Sequence, residues 1–269
     1  MIITILGCNL GLIENAYNFR ENGVLRYYLG YINLNAPIYF SYISLMYIYL
    51  RKEKINTYDV LVIAVINFYL YRNCDVRAQF YITLFTAIGA YLLKFFKTDL
   101  STKRIKNVFV YSMPVCSIVS IGFQVFYNES NGVMSLLNEV FTGRLKLGFN
   151  AYKEYGIKLF GQSIKWVLDS DIDNGIWYSY VDSSFLKYTL MYGLVFMVII
   201  IMGFVVISKE AVKANNIYLC FSILIIALNN MFNPHLLYIH FNIFILLFGQ
   251  FFNNRNRKIK DFHLKIDTF

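Results

Sequence analysis

The chain has 269 residues, of which 58% are hydrophobic and 15% are charged, and its mean hydropathy is +0.49. Soluble domains of this size carry about a quarter charged residues, so the composition excludes an ordinary soluble domain and favours a protein of the lipid bilayer. The net charge of +9 would suggest a nucleic-acid partner in a soluble protein; in an apolar chain it indicates which side of the membrane holds the basic residues, and no nucleic acid is predicted as a partner.

Apolar segments follow one another along most of the chain, and a helix needs about 20 apolar residues to cross a bilayer. The first segment, 2–13, is short, and it lacks the basic start and small-residue cleavage site of a signal peptide. The sequence therefore predicts an all-α fold, a polytopic transmembrane protein of about seven or eight spans. The longer predicted spans cover 34–50, 56–72, 78–96, 107–127, 184–208, 216–233 and 236–252.

The basic residues between these spans form four clusters that fall on one side of the membrane if the spans alternate. By the positive-inside rule that side is the cytoplasm, and it includes the C-terminus. The clusters are Arg51–Lys54, Lys97 with Lys103–Lys106, Lys209 with Lys213, and Arg255–Lys265. This topology predicts three regions: an N-terminal transmembrane bundle (1–127), an extracytoplasmic loop (128–183), and C-terminal spans with a basic tail (184–269).

The long loop carries an amphipathic pattern from Arg144 to Phe160, with apolar residues close to helical spacing. We predict a helix there, with Thr142 as its N-cap and Gly161 at its end, lying along the lipid–water boundary. Arg144 would then sit at the depth of phosphate head groups. The nearby glycines are predicted to end helices and to allow close packing; they are Gly143, Gly148, Gly156 and Gly161.

The same loop carries the segments T-G-R-L (142–145), L-F-G-Q (159–162) and D-S-S-F-L (182–186), followed by M-Y-G (191–193). In this order they resemble the long extracytoplasmic loop of Wzy-type polymerases from capsular and exopolysaccharide loci. The resemblance extends to R-Y-Y-L-G-Y-I-N-L-N (26–35), to Arg77, and to P-H-L-L-Y-I-H-F-N (234–242). Members of that family carry further spans before the first of these segments, so the chain is expected to be an N-terminally shortened member.

The resemblance implies a multi-pass protein of the bacterial plasma membrane whose fold is similar to that of helical glycosyltransferases with lipid-linked donors. It would transfer a glycan from undecaprenyl diphosphate to the next lipid-linked repeat unit, without a cofactor or metal, among membrane lipids and alongside a chain-length regulator and a flippase. Fixed positive charge would hold the diphosphate, and arginine suits this because its planar fork binds phosphate oxygens bidentately. The residues implied in substrate binding are Arg26, Arg77, Arg144, Gln162 and Asn242.

The attacking hydroxyl also needs an acceptor for its proton, for which Asp182 is the first candidate and His235 the second. Asp182 stands directly before a span, so it could equally be the N-cap of that helix. A lone histidine at a membrane boundary, such as His235, is more often structural. Asn242 lies within an apolar span and needs a hydrogen-bond partner.

A run of acidic residues in the loop, Asp169, Asp171 and Asp173, invites a metal interpretation that its spacing does not support. The glycine comes one place late for a calcium-binding EF-hand loop, and the twelfth position is Tyr180 rather than glutamate. The four cysteines lie far apart and give no metal spacing. A solvated loop is therefore predicted. Two further functions stay open: a transferase like the O-antigen ligases, and a flippase for lipid-linked oligosaccharides.

Overall fold

The structure, a computed structural model, describes residues 1–19, 23–31, 33–95, 103–166 and 180–249. It is mostly helical, which confirms the all-α class, and the described part contains one small antiparallel hairpin. The chain divides into two compact units, Met1–Asp99 and Leu100–Phe269. Residues 103–125 belong to the second unit, whereas the sequence-based division by membrane topology groups them with the N-terminal bundle. That topological division stays a prediction.

The first unit is a bundle of three long helices preceded by a short helix and a hairpin. Its elements are α1 (Ile2–Asn9), β1 (Tyr17–Phe19), β2 (Leu25–Tyr27), α2 (Asn35–Arg51), a 3-10 turn (Lys52–Lys54), α3 (Thr57–Cys74) and α4 (Arg77–Phe95). Helices α2, α3 and α4 pack on one another, and β2 packs on α3. The start of α3 is fixed by a capping box, in which Asn56 and Asp59 each accept a hydrogen bond from the other's backbone amide. The hairpin was not predicted.

The second unit packs three long helices around shorter ones. Its elements are α5 (Lys103–Val125), α6 (Gly132–Val140), α7 (Arg144–Tyr155), α8 (Ser184–Tyr192), α9 (Leu194–Lys213), α10 (Ile217–Asn230) and a 3-10 turn (Ile243–Leu246). Helix α5 contacts α7, α8, α9 and α10 and is therefore central. The span predicted at 236–252 does not form one helix, because residues 236–241 are in turns and Asn242 precedes the 3-10 turn.

The span predicted at 184–208 is broken into α8 and α9 at Gly193, whose backbone has φ 90° and ψ 163°. This conformation is open to glycine and strained for other residues. Two amides at the start of α9 are hydrogen-bonded to the loop: Leu194 donates to the carbonyl of Lys158 at 2.9 Å and Val195 to that of Leu159 at 3.1 Å. Lys158 and Leu159, the residue at the start of L-F-G-Q, thus satisfy backbone groups that the break in the helix leaves without intrahelical partners.

The amphipathic helix of the loop forms, but its predicted ends are wrong. It begins after Gly143, which has φ 81° and is the N-cap, while Thr142 itself has a positive φ and does not cap the helix. It ends at Gly156 rather than Gly161, because Gly156 also has a positive φ and the residues after it dock on the break at Gly193.

The apolar side of α7 packs against protein. Leu145 and Ala151 are buried, and α7 packs along α5. A Cβ added at Gly148 would collide with the side chain of Gln124 on α5, so the glycine permits the close approach. The prediction that the loop glycines end helices or allow close packing is confirmed for Gly148, Gly156 and Gly161, whereas Gly143 begins a helix. The predicted position of α7 along the lipid boundary loses its main support.

Among the described residues, two helices are long and apolar enough to cross a membrane, Arg104–Val125 and Leu194–Lys213. Only 44% and 33% of their most apolar windows are buried inside the protein. A core helix of a soluble protein would be buried over most of its length. Within the described ranges, the remaining predicted spans do not meet the same test, so the larger number of spans stays a prediction.

Candidate active site

A small cleft in the second unit opens beside the first turn of α7. Its volume is about 50 Å³, and polar and apolar side chains share its wall. It lies next to the segment that leads into α8, so residues from α5, α7 and the end of α10 meet there. Its lining residues are Ser120, Phe123, Gln124, Phe141, Arg144, Leu145, Ser183, Met231 and Phe232.

Two of the predicted site residues, Arg144 and Asp182, are in direct contact at this cleft. The Nε of Arg144 lies 3.0 Å from Oδ2 of Asp182, and both side chains are about three-quarters buried, with 27% and 25% exposure. The turn through Gly143 aims the first residue of α7 toward the segment before α8. Asp182 binds the guanidinium at Nε, and the Arg144 side chain also lines the cleft. A partly exposed cation held by a carboxylate can accept an anionic ligand by exchange.

Asp182 is not the N-cap of α8, so that alternative is wrong. The N-cap is Ser183, whose Oγ accepts a hydrogen bond from the amide of Leu186 at 3.5 Å. Since a neighbouring hydroxyl caps the helix, the carboxylate of Asp182 is available to Arg144. At the start of α8, Ser183 therefore caps the helix and Asp182 forms the ion pair with Arg144.

Behind the ion pair is a buried polar network that sequence reasoning missed. Ser120 and Ser183 share a hydrogen bond of 2.8 Å between their hydroxyls, and Gln124 donates to the backbone carbonyl of Ser120 at 2.8 Å. Ser184 donates its hydroxyl hydrogen to Asn230 or to the carbonyl of Asn233. The available signal was the polar pair Ser120 and Gln124, four residues apart in an otherwise apolar span.

Lys187 is a second cation near the cleft that sequence reasoning missed. It is only 4% exposed, its Nζ lies 2.7 Å from the hydroxyl of Tyr180, and the rings of Tyr180 and Trp166 lie 4.1 and 5.9 Å from Nζ. It interacts electrostatically with both Asp182 and His235. A lysine inside an apolar segment is costly and usually functional or paired, and that was the signal in the sequence.

His235 lies between α10 and the final 3-10 turn, stacked on Phe241 with the ring centres 4.0 Å apart. Its Nδ1 is buried and has no hydrogen-bond partner in the described residues. Burial, then the charge of Lys187 and then His240, lower the pKa of His235 to about 3. A neutral imidazole can position a hydroxyl group, but it is a poor final acceptor of a proton. The environment of His235 therefore favours a role in positioning a hydroxyl group over a role as general base.

The amides of Gln162 and Asn242 make structural contacts. Nε2 of Gln162 donates to the carbonyls of Gly156 and Leu190, at 3.0 and 3.1 Å, and thereby ties the loop to the end of α8. Asn242 is fully buried and donates to the carbonyl of Leu236 at 2.8 Å, which supplies the partner that the sequence required, while its Oδ1 has none in the described part. Their predicted role in substrate binding stays a prediction.

The other two predicted arginines lie in the first unit, at the end where α3 gives way to α4. Arg26, on β2, donates from Nε to Oδ1 of Asn18 at 3.2 Å. Arg77 opens α4, and its Nε lies 3.8 Å from Oδ1 of Asp75. Within their unit both arginines are held by short polar side chains.

The acidic loop of Asp169, Asp171 and Asp173 lies outside the described residues. Within the described ranges no group of three or more histidine, cysteine, aspartate or glutamate side chains could hold a metal ion.

Comparison with protein-family models, with curated proteins and with solved structures found no match for this chain. What the fold and site define is therefore a class: a mostly helical protein with two helices apolar enough to cross a membrane and a small, mostly apolar cleft that Arg144 lines beside the start of α8.

Proposed function

We propose that the chain is a polytopic membrane glycosyltransferase of the polysaccharide-polymerase type. It would transfer a glycan from polyprenyl diphosphate onto a lipid-linked repeat unit at the outer face of the membrane. The observation that carries this proposal is the Arg144–Asp182 pair at an accessible cleft. The pair unites the residue types that the reaction needs: a fixed cation for the departing diphosphate and a carboxylate for the attacking hydroxyl.

In the proposed reaction the acceptor hydroxyl attacks the anomeric carbon of the donor sugar. The new carbon–oxygen bond forms as the bond to the diphosphate breaks, and the diphosphate leaves with the electron pair. Arg144 stabilises the negative charge of the leaving group, and Asp182 takes the proton of the hydroxyl. His235, held neutral by its surroundings, orients the hydroxyl.

The charge balance of the site favours an anionic donor. Arg144 and Lys187 are two cations near one carboxylate, Asp182. Lys187 is buried and interacts electrostatically with Asp182, so its charge adds to that of Arg144 beside the same carboxylate. An excess of positive charge at partly buried depth is what a diphosphate requires.

Support for a membrane setting comes from the distribution of polarity on α5. Apolar side chains such as Val115 and Ile118 are exposed, at 55% and 71%, while Ser117, Ser120 and Gln124 are buried. A soluble helix shows the opposite arrangement, with its apolar stripe facing the core. Helices α3, α4 and α9 also carry exposed apolar residues, which supports the multi-pass interpretation.

The positions of L-F-G-Q and M-Y-G, two of the segments that resemble the polymerase family, also support the proposal. A Cβ at Gly161 of L-F-G-Q would lie 2.6 Å from the carbonyl oxygen of Met191, and one at Gly193 of M-Y-G would lie 2.5 Å from that of Leu159. Two segments separated by a long loop are thus in backbone contact, which gives a physical reason for glycine in both.

A flippase is the second candidate, and one observation favours it. Polar side chains are fully buried inside the first unit, on α4 at Gln79, Thr83 and Thr86 and on α3 at Asn67. A transporter lines its path through the membrane with such residues. Asn67 donates to the carbonyl of Phe80 and Thr86 to that of Ile82, so these two bind protein backbone. The Arg144–Asp182 pair at the cleft is therefore stronger evidence for a transferase than these buried polar residues are for a flippase. A ligase-like transferase shares the cleft chemistry.

The test compares Arg144→Ala and Arg144→Lys with Lys146→Ala in cells whose polymer synthesis depends on this protein. Lys146 is the matched control, since it is an exposed cation on the same helix, paired with Glu129. Loss of a preorganised donor costs about 10²–10³-fold in rate. The Arg144 variants should therefore leave single repeat units on the carrier, open to external glycosidase, while Lys146→Ala makes normal chains. Single units shielded from the glycosidase would support the flippase, and normal chains from Arg144→Ala would contradict both.

A further inference from the structure

Helix α6 (Gly132–Val140) carries an apolar face that no other element of the described residues covers. Val133, Leu136 and Val140 are 68%, 62% and 65% exposed, and their spacing of three and four residues places them on one side of the helix. Single exposed apolar residues are common, but a continuous exposed stripe on a helix indicates a binding surface.

The opposite side of α6 is tied to the protein. Oδ1 of Asn138 accepts a hydrogen bond from the amide of Lys146 at 3.0 Å, and the carbonyl of Asn138 accepts one from the amide of Gly143 at 2.8 Å. At the start of the helix, Asn131 accepts bonds from the amides of Val133 and Met134. The helix is therefore capped and anchored through its polar side, and its apolar side faces outward.

The position of α6 in the chain indicates what covers that face. It lies between the end of one membrane-length helix, at Val125, and the start of the other, at Leu194. If both helices cross the bilayer, these two ends are on the same side of it, and the segment between them emerges where the helices leave the lipid. A helix of nine residues is about 14 Å long and cannot itself span the bilayer.

Other apolar side chains of the segment between Val125 and Leu194 are also exposed. Phe126, directly after α5, is 77% exposed. Leu159 and Phe160 are 63% and 74% exposed although their backbone is fixed at the start of α9, and the adjacent Lys158 is also exposed. Apolar side chains beside a lysine are typical of a segment at the lipid–water boundary.

We infer that α6 is the interfacial helix of this protein, with Val133, Leu136 and Val140 inserted into the boundary between head groups and acyl chains. This differs from the sequence-based expectation, which assigned that place to α7, whose apolar side packs on α5. It rests on the membrane placement in the proposed function. In this position α6 fixes the depth of the Arg144 cleft relative to the lipid phosphates, because α6 and α7 are joined through Asn138.

The test uses the full chain in lipid nanodiscs with a single fluorophore attached at Leu136→Cys, at Ser135→Cys on the polar side of α6, or at Ile199→Cys on α9. The native cysteines in the described ranges, Cys8, Cys74, Cys116 and Cys220, are buried, and labelled wild-type protein measures any background. Spin-labelled lipids quench from a position close to the head group or from the chain end, and iodide quenches from water.

We expect the position 136 fluorophore to lose most of its emission to the shallow lipid quencher, less to the deep one, and little to iodide. Position 135, on the side that is anchored to the protein, should respond less than position 136 to the shallow lipid quencher, and position 199, which is 62% exposed on α9, should respond mainly to the lipid quenchers. Quenching at 199 with none at 136 would overturn the inference while leaving the membrane placement intact. Protection of position 136 from iodide as well as from both lipid quenchers would also overturn the inference, because it would show that a second copy or another protein covers α6. Absence of lipid quenching at 199 as well would contradict the membrane placement itself.

Discussion

The guanidinium of Arg144 and the carboxylate of Asp182 form an ion pair of 3.0 Å between the first residue of α7 and the segment that enters α8. Arg144 lines the cleft, Asp182 precedes the lining residue Ser183, and both charged side chains are about three-quarters buried. The pair can therefore serve two purposes, which are to hold α7 against the start of α8 and to present a cation to an anionic ligand.

Exchanging the two residues separates these purposes. The double variant Arg144→Asp with Asp182→Arg should recover most of the stability lost in either single variant, because opposite charges face each other again. A coupling energy of about 1 kcal/mol is expected for a partly exposed pair. Activity should not recover, because the cation would stand at the wrong end of the pair. Thermal unfolding in detergent and glycan length are the two measurements; recovery of both would show that the pair is only structural.

The break between α8 and α9 depends on Gly193, and Gly193→Ala tests it. Its φ of 90° is strained for alanine, and a Cβ would lie 2.5 Å from the carbonyl oxygen of Leu159, a backbone atom that cannot move freely. The strain and the collision together should cost about 3 kcal/mol. Gly122→Ala is the matched control, since an added Cβ there meets nothing within 4 Å and alanine favours a helix. Equal thermal stability of the two variants would contradict this account.

Lys187→Met should separate stability from function. Removing a buried cation abolishes its desolvation cost, and a methionine of similar length can fill the space, so the unfolding temperature should stay constant or rise. Polymer synthesis should fall, since the site loses one of its two cations. Tyr180→Phe removes the hydrogen-bond partner of Nζ while keeping the charge, and it should have the smaller effect on activity. A strong loss of folding in Lys187→Met would indicate a structural role instead.

The sequence predicted helix positions well where one apolar run is bounded by polar residues. The capping box of Asn56 and Asp59 begins α3 within one residue of the predicted start at 56. It failed at Gly193, because a glycine inside a continuous apolar run gives no sign that a distant loop will bind its neighbours. It also missed the hairpin of β1 and β2, whose strands of three residues are too short for an alternating pattern.

For the site, residue type was a better guide than position. Arg144 and Asp182 stood out because they are charged at a predicted membrane boundary, but nothing in a single sequence shows that they pair across a long loop. Lys187 is a charge in an apolar run, and the sequence alone does not show that it is buried beside Tyr180 and interacts with Asp182. The contacts of Gln162 with two backbone carbonyls depend on the break at Gly193, so they could not be predicted without it.

The proposed orientation has its own test. Basic clusters at Arg51–Lys54 and at Lys209 with Lys213 predict the cytoplasmic side, so a topology reporter fused after Lys54 or Lys213 should score cytoplasmic. A reporter after Asp171 should score extracytoplasmic. A cytoplasmic signal at Asp171 would place the Arg144 cleft on the wrong side for a lipid-linked donor of the outer leaflet, and the polymerase proposal would then fail.

The buried imidazole of His235 should make the protein sensitive to acid. Its pKa is lowered to about 3 in the folded protein from 6.5, chiefly by burial, so the unfolded chain binds the proton more readily. The stabilising effect of a neutral His235 is complete above pH 6.5 and is lost progressively as the pH falls from 6.5 toward 3. At pH 5 the loss from this group alone would be about 2 kcal/mol.

His235→Gln removes the titrating group while it keeps a polar side chain in the same place. We expect wild type and variant to differ in unfolding temperature by a constant amount above pH 7, and the variant to lose less stability than wild type between pH 7 and pH 5. Thermal unfolding in detergent across this range measures the difference, and the carboxylates common to both proteins cancel. Parallel pH profiles would show that the pKa of His235 is the same in the folded and unfolded protein, as for an exposed imidazole, and its role as a buried neutral positioning group would be wrong.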